Sequence, residues 1–162
     1  MFIVCSRRPE NPLFSARVAP LQPCVNLLPC SGVGLNVLIV DDSSAVRAFV
    51  RAALEDADFA RIHEAATGFE ALRILAANAF DVVIVDVNMP DINGLELLSF
   101  MAKSPRQQGA RKILISTQVG GSDAKRGTDL GADAFLQKPF EVDQLKTLIE
   151  EVLAKADGAS ND

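Results

Sequence analysis

Residues 82–86 read Val-Val-Ile-Val-Asp, an unbroken run of four β-branched apolar residues that ends in a carboxylate. A second apolar run, Val-Leu-Ile-Val at residues 37–40, is followed directly by Asp41 and Asp42. A strand that is apolar at every position is buried on both faces, and such strands belong to parallel sheets covered by helices on both sides. These two stretches therefore predict an α/β fold around a parallel sheet.

Strand-like and helix-like segments alternate along the rest of the chain. The predicted strands are residues 37–40, 61–65, 82–85, 113–115 and 134–136. Apolar residues recur at helical spacing between them, and Ser43 and Ser44 offer N-caps for the first helix. The predicted buried faces of four helices consist of Val46, Phe49, Val50, Ala53 and Leu54; Phe69, Leu72 and Leu75; Leu95, Leu98, Met101 and Ala102; and Val142, Leu145, Leu148, Ile149, Val152 and Leu153. With a weaker helix at residues 122–130, the pattern predicts five βα units in a doubly wound sheet.

The composition excludes several classes of protein. The chain has 162 residues, 49% of them hydrophobic and 23% charged, with a formal net charge of −5, which suits one globular domain with an appendage. No stretch approaches the roughly 18 consecutive apolar residues of a membrane span, so we expect no membrane insertion. An acidic chain without a basic block is also a poor candidate for non-specific nucleic-acid binding.

The composition changes near residue 34. Five of the eight prolines and all three cysteines precede that point, and prolines at this density interrupt helices and central strands. We therefore expect an irregular, disordered extension at residues 1–34, a folded domain at residues 35–156 and a tail at residues 157–162. An alternative is that translation begins further on, near Val33. The absence of cysteine after residue 34 fits a reducing compartment and predicts a cytoplasmic protein.

Polar side chains follow four of the predicted strands, at the point where each strand ends. Because ligand sites in open parallel sheets lie at the carboxyl ends of the strands, we expect these side chains to converge. Carboxylates close together repel one another unless a cation compensates them, and carboxylate oxygens are suited to Mg²⁺. An ammonium and a hydroxyl would complete a cradle for a phosphoryl group, so the pattern predicts Mg²⁺-dependent phosphoryl transfer with an aspartate as possible nucleophile. The side chains concerned are Asp41, Asp42, Asp86, Ser116, Thr117 and Lys138.

Three segments resemble the signatures of response-regulator receiver domains. They are VLIVDD at residues 37–42, VVIVDVNMPDING at residues 82–94 and GADAFLQKPF at residues 131–140. The resemblance covers about residues 35–155, which is nearly all of the predicted folded domain. It implies a flavodoxin-like (βα)5 sandwich with a five-stranded parallel sheet in the order 2-1-3-4-5.

The resemblance also implies a role for each site residue. Asp86 is expected to accept a phosphoryl group from a histidine kinase. The expected Mg²⁺ ligands are Asp42 directly, Asp41 partly through water, Asp86, and the backbone carbonyl of Asn88. Lys138 is expected to contact the phosphoryl group, and its bond to the following proline is expected to be cis. The domain is expected to catalyse both its own phosphorylation and the loss of the phosphoryl group.

A hydroxyl and an aromatic ring are the expected switch residues. Alignment without gaps to the signature segments on either side places Ser116 at the family's hydroxyl position, although threonine, found here as Thr117, is the more usual residue type. Phe135 stands where the family often has an aromatic residue, and its ring is expected to move inward when the hydroxyl moves toward phosphate. Asn88 and Gln118, two residues after Asp86 and Ser116, are expected to tune the lifetime of the phosphoryl group.

The fourth predicted helix, residues 122–130, is the expected moving element. It offers only Ala124 and Leu130 as apolar anchors and contains Gly127, so it should be the least stable helix. The same facts also allow a helix that is merely frayed. Output is expected through a protein contact formed by the fourth helix, the fifth strand and the fifth helix.

These expectations define a stand-alone response regulator, because the chain leaves no room for a DNA-binding domain after the last helix. The expected partners are a sensor histidine kinase or a histidine phosphotransfer protein, together with a downstream protein target. A chemotaxis-type regulator and a phosphorelay intermediate both remain open. An aspartate-nucleophile phosphatase is disfavoured, because Asn88 stands where such enzymes need a second aspartate.

Overall fold

The computed structural model describes residues 34–55, 61–117 and 122–158. The predicted extension, apart from Gly34, lies outside the described residues, as do Gln118 and the last four residues of the predicted tail. The strands are β1 (Asn36–Val40), β2 (Arg61–Ala65), β3 (Val82–Asp86), β4 (Arg111–Ser116) and β5 (Ala134–Gln137). The helices are α1 (Ser44–Glu55), α2 (Gly68–Ala77), α3 (Gly94–Lys103), α4 (Ser122–Asp129) and α5 (Val142–Gly158), with a 3₁₀ turn at Pro105–Gln107.

The five strands form one parallel sheet in the order β2-β1-β3-β4-β5, which confirms the predicted fold and strand order. The register pairs Val40 with Val85 and Asp86 with Ile115. The carboxyl ends of β1, β3 and β4 therefore meet at one edge of the sheet.

Each central strand contributes to two cores, because successive side chains point to opposite faces of a sheet. On one face, Leu38 and Val40 belong to the cluster that includes residues of α2 and α3. On the other face, Val37 and Ile39 belong to the cluster that includes residues of α1 and α5. This double burial is the physical reason why the strands read as unbroken apolar runs.

Three apolar residues that the helical spacing placed on buried faces are exposed. Phe69 is 64% exposed and Phe49 is 40% exposed, and Ala102 is also exposed. The buried stripe of α3 includes Leu97 instead, so it is centred slightly away from the predicted one. The ring of Phe49 meets the ring of Phe140 edge to face, with centroids 5.7 Å apart, and so packs beside the core rather than in it.

Helix α4 forms at the predicted place and is the most weakly anchored helix of the described residues. Its only buried residue is Gly127, whereas α3 buries five residues and begins with a capping box formed by Asn93 and Glu96. Helix α5 runs to Gly158, two residues into the predicted tail. Within the described part of the chain, no helix combines the length and the apolar character needed to cross a bilayer.

Candidate functional site

Three carboxylates converge at the carboxyl edge of the sheet. Asp86 ends β3, and Asp41 and Asp42 directly follow β1. One oxygen from each carboxylate lies within 4.8 Å of the others. Asp41 and Asp86 are 2% and 4% exposed, whereas Asp42 is exposed. The structure therefore gathers the three predicted acids into one partly buried cluster.

The ammonium group of Lys138 lies between the two buried carboxylates. Its Nζ atom is 2.7 Å from Oδ2 of Asp41 and 3.2 Å from Oδ1 of Asp86. The Lys138–Pro139 peptide bond is cis, as the resemblance implied. Buried carboxylates without a counter-charge are costly, and the lysine supplies part of the counter-charge for these two acids.

Burial and charge act against each other at this cluster. Burial raises the pKa of Asp86 above its usual range, although the charge and the hydrogen bond of Lys138 oppose that rise. For Lys138, burial by itself favours the neutral form, but the hydrogen bond to Asp41 and the charges of both carboxylates outweigh it. The net result is that the pKa of Lys138 is raised, which keeps its ammonium group charged.

The loop between β1 and α1 is held by a side chain that the sequence analysis did not assign to the site. Nη1 of Arg47 donates to the carbonyl oxygens of Asp41, at 2.8 Å, and Asp42, at 3.4 Å. Its Nε donates to Glu64 of β2 at 3.3 Å. The helical position of Arg47 could be read from the sequence, but the direction of its long side chain depends on acceptors from other elements.

The two candidate hydroxyls differ in their surroundings. Ser116 ends β4 and is 6% exposed, and its carbonyl accepts a hydrogen bond of 2.8 Å from the backbone N–H of Lys138. Thr117 is exposed, and its Oγ1 accepts a hydrogen bond of 3.5 Å from Nδ2 of Asn88. Both residues therefore lie at the edge of the sheet that carries the acids.

Phe135 is half-buried and packs against the core beneath α4. A Cβ atom at Gly127 would lie only 2.7 Å from Cζ of Phe135 and 2.7 Å from Cδ1 of Leu114. The ring thus occupies space that exists because position 127 has no side chain. This contact links β5 directly to the helix that the sequence analysis identified as the moving element.

The donor set fits Mg²⁺. The cluster offers carboxylate oxygens from Asp41, Asp42 and Asp86, and hard oxygen donors favour Mg²⁺ over softer transition metals. Asn88, whose backbone carbonyl the resemblance assigned to the metal, follows Asp86 by two positions in the chain. Because Asp42 is exposed, the cluster reaches solvent on the side of that residue.

Comparison with known proteins assigns the family. Residues 37–150 match the family described as the response regulator receiver domain, and the chain belongs to that family. The chain is 32% identical to the probable chemotaxis protein CheY of Rhizobium etli, over 73% of this chain and 92% of that protein. It is 34% identical to chemotaxis protein CheY1 of Helicobacter pylori strain 26695, over 76% of this chain and 100% of that protein.

One relative is much longer than the match. The response regulator Rre1 of Synechocystis is 32% identical over 78% of this chain, but the chain spans only 55% of Rre1. Among solved structures, CheY4 of Vibrio cholerae matches with a TM-score of 0.70 and 32% identity, over 74% of this chain and 99% of that one. A CheY-like receiver domain protein of Methanospirillum hungatei JF-1 matches with a TM-score of 0.73 and 28% identity, over 78% of this chain and 99% of that one.

Taken with the fold, these matches define a receiver domain of the CheY and response-regulator type. The family is one of signalling domains in two-component systems. The resemblance seen in the three sequence signatures is therefore confirmed at the level of family and fold.

Proposed function

We propose that this chain is a response regulator that accepts a phosphoryl group on Asp86 from a phosphohistidine donor, with Mg²⁺, and thereby switches a protein-binding face. One observation carries the proposal. The Asp86 carboxylate lies at the carboxyl edge of the sheet beside two further carboxylates, and the Lys138 ammonium group is 3.2 Å from it. That combination of nucleophile, cation ligands and fixed positive charge suits phosphoryl transfer.

The transfer can be written from the residues present. A carboxylate oxygen of Asp86 forms a bond to phosphorus while the bond between phosphorus and the donor's imidazole nitrogen breaks, and the bonding pair stays on the imidazole. Mg²⁺, held by Asp41, Asp42, Asp86 and the carbonyl of Asn88, would offset the negative charge on the phosphoryl oxygens. Lys138 is already charged and within reach of Asp86, so it can pair with the extra negative charge of the product.

Switching follows from contacts that only the phosphorylated state can make. A phosphoryl group on Asp86 would draw the Ser116 hydroxyl toward it and leave space into which the Phe135 ring can settle. The Phe135 ring already lies against Gly127 of α4. A change in the position of the ring would therefore change its packing against that helix. A shift from about 1% to about 99% active state requires roughly 5.5 kcal/mol of differential contact energy.

The proposed partners are a sensor histidine kinase or a histidine phosphotransfer protein on the input side, and a protein target on the output side. An open, mainly apolar groove of about 430 Å³ lies beside Lys138 and is bordered by Phe49, Thr117 and Phe140. A partner that seats there would bring its histidine close to the acidic cluster. The output face is proposed to comprise α4, β5 and α5.

The test is phosphorylation by acetyl phosphate with Mg²⁺, read by intact-protein mass spectrometry. The wild-type chain is expected to gain one phosphoryl group, and Asp86→Asn is expected to gain none. Asp143→Asn removes an exposed carboxylate of α5 and serves as the matched control, with full phosphorylation expected. Unchanged phosphorylation of Asp86→Asn would show that the acceptor is another residue.

A further inference from the structure

The backbone of the β1–α1 loop determines where two of the three carboxylates point. Asp41 and Asp42 are consecutive, so both must be directed at the cluster by the conformation of one short turn. The N–H of Ser43 donates to Oδ1 of Asp41 at 2.8 Å, and Lys138 donates to Oδ2 of the same carboxylate at 2.7 Å. Asp42 is exposed, so its placement depends mainly on its backbone.

Arg47, in the first turn of α1, donates hydrogen bonds to that backbone. Its Nη1 lies 2.8 Å from the carbonyl oxygen of Asp41 and 3.4 Å from that of Asp42. The guanidinium is anchored in turn by Glu64 of the neighbouring strand β2, at 3.3 Å. The side chain of Arg47 is only 17% exposed, which means that it is packed in place rather than extended into solvent.

From this geometry we infer that Arg47 is a positioning residue for the metal site: it fixes the two carbonyls so that the carboxylates of Asp41 and Asp42 converge with Asp86 before Mg²⁺ arrives. The inference rests on the proposed function, because it takes the three carboxylates to be the Mg²⁺ ligands. It deepens that proposal by assigning the site a residue that touches neither the metal nor the phosphoryl group.

The chemistry of arginine suits this task. The planar guanidinium presents several donors in a rigid fork, so one side chain can serve two carbonyls on one side and a carboxylate on the other. The flexible ammonium of lysine is a compact charge and cannot reproduce that fork. Residues that orient metal ligands without contacting the metal commonly change metal affinity about 10- to 100-fold when they are replaced.

The direction in which Mg²⁺ affinity changes on replacement of Arg47 distinguishes a positioning role from a purely electrostatic one. Arg47 is a cation close to a site for another cation, so removal of its charge would strengthen Mg²⁺ binding if charge alone mattered. A positioning role predicts the opposite result, namely weaker binding, because the loop loses the contact that orders it.

The experiment measures Mg²⁺ affinity by isothermal titration calorimetry on the full chain, without any phosphoryl donor. Arg47→Met keeps much of the aliphatic stem and removes the donors, and its Mg²⁺ Kd is expected to rise about tenfold. Arg51→Met is the matched control. Arg51 lies one turn further along α1, also contacts Glu64 and carries the same charge, so its replacement is expected to change the Kd less than twofold.

Two further measurements keep the inference open to refutation. Amide hydrogen exchange without Mg²⁺ is expected to be faster at Asp42 and Ser43 in Arg47→Met than in the wild type, with exchange in β3 unchanged. Arg47→Lys retains the charge but not the fork, so it is also expected to weaken Mg²⁺ binding. This variant provides the same comparison if Arg47→Met does not fold.

Each outcome has a distinct meaning. A folded Arg47 variant that binds Mg²⁺ as well as the wild type, or more tightly, would overturn the role of Arg47 and leave the metal site intact. An equal loss of affinity in Arg51→Met would also overturn it, because the effect would not depend on the loop contact. Failure of the wild-type chain to bind Mg²⁺ would instead overturn the proposed metal site itself.

Discussion

Asp41 and Asp86 are almost fully withdrawn from water, and the ammonium group of Lys138 lies within hydrogen-bond reach of both. At the scale of single residues, the site is thus a balance between desolvation, which favours neutral carboxyl groups, and one nearby positive charge, which favours ionised ones. Removal of either partner should therefore change the stability of the fold as well as the chemistry of the site.

Lys138→Met is expected to lower the free energy of unfolding by about 3 kcal/mol in the absence of Mg²⁺, because it leaves two buried carboxylates without their counter-charge. Urea denaturation in EDTA at neutral pH measures the change. Lys125→Met, at an exposed position of α4, is the control and should change stability by less than about 0.5 kcal/mol.

A double-mutant cycle makes the lysine prediction specific. Asp86→Asn should stabilise the Lys138→Met chain by more than it stabilises the wild type, since in the Lys138→Met background it removes an unpaired charge. Strict additivity of the two single changes would contradict a direct interaction between Lys138 and Asp86.

Asp86→Asn alone is expected to raise the free energy of unfolding in EDTA at neutral pH by roughly 1 kcal/mol. The pKa of Asp86 is raised in the folded protein, chiefly by burial, so the folded state holds its proton more tightly than the unfolded state does. The stability contributed by the protonated form is present at low pH and is lost as the pH rises through the raised pKa. The ionised group therefore costs stability at neutral pH.

The pH dependence of the free energy of unfolding tests the prediction for Asp86→Asn. The stability difference between Asp86→Asn and the wild type, measured by urea denaturation, should shrink as the pH falls toward the usual range of aspartate. Added Mg²⁺ should also reduce this stability difference, because the ion stabilises the wild-type cluster more than the cluster of the variant. An Asp86→Asn chain that is less stable than the wild type in EDTA would contradict the predicted sign.

At the scale of secondary-structure elements, α4 differs from the other helices in how it meets the core. It packs through a glycine, and the space above Gly127 is filled by the Phe135 ring and the Leu114 side chain. A helix that lacks a side chain at its point of contact can be displaced with a small loss of packing. That property suits the proposed role of α4 as the element that moves when Asp86 is phosphorylated.

Gly127→Ala tests this contact. In an exposed helix the change would stabilise by about 1 kcal/mol, but here the new methyl group meets side-chain atoms at 2.7 Å, and overpacking costs about 1–3 kcal/mol. We expect a net loss of about 1 kcal/mol in thermal or urea unfolding. A Gly127→Ala protein more stable than the wild type would show that the ring moves aside without cost.

Gly109→Ala is the matched glycine control, because a Cβ atom at that position would have no atom within 4 Å apart from those of Gly109 and its two chain neighbours. It should leave stability within about 0.5 kcal/mol of the wild type. The loss caused by Gly127→Ala should also become smaller in a Phe135→Ala background, where the ring that obstructs the methyl group is absent.

Hydrogen exchange tests the stability of α4 itself. Its amides are expected to exchange at least about tenfold faster than those of α3, because α4 buries one residue and α3 buries five. A stable phosphoryl mimic with Mg²⁺ should change protection in α4 more than in α3. Equal protection of α4 with and without the mimic would contradict its role as the switching element.

At the scale of the whole molecule, the kinds and order of the elements could be predicted from the sequence because burial on both faces leaves an unmistakable pattern. The strands at residues 37–40 and 82–85 have no polar position, and the acids that follow them must meet where parallel strands end. These inferences need only the local sequence and the rules of parallel sheets.

The features that could not be predicted depend on partners distant in the chain. The spacing placed Phe49 on a buried face, but its ring packs instead at the surface against Phe140, which belongs to another part of the chain. Arg47 was visible as a helical residue, yet its side-chain direction is set by the carbonyls of the β1–α1 loop and by Glu64. Only the assembled structure supplies those neighbours.

The domain boundaries remain a prediction that belongs to this scale. We propose that residues 35–156 form the folding unit and that residues 1–34 contribute nothing to its stability. Removal of residues 1–34 is accordingly expected to leave the midpoint of thermal unfolding within a few degrees of that of the full chain, as measured by calorimetry. A large decrease would show that the proline-rich segment is part of the folded domain.

The hydrogen bond between Lys138 and Asp41 joins residues that are 97 positions apart in the chain. Asp41, Asp42 and Asp86 all precede Lys138 in the chain, so a chain shortened before Lys138 would bring these carboxylates together with no ammonium group to offset their repulsion. Closing the sheet with β5 removes that repulsion. A copy that lacks Lys138 would therefore be electrostatically biased against taking the native form.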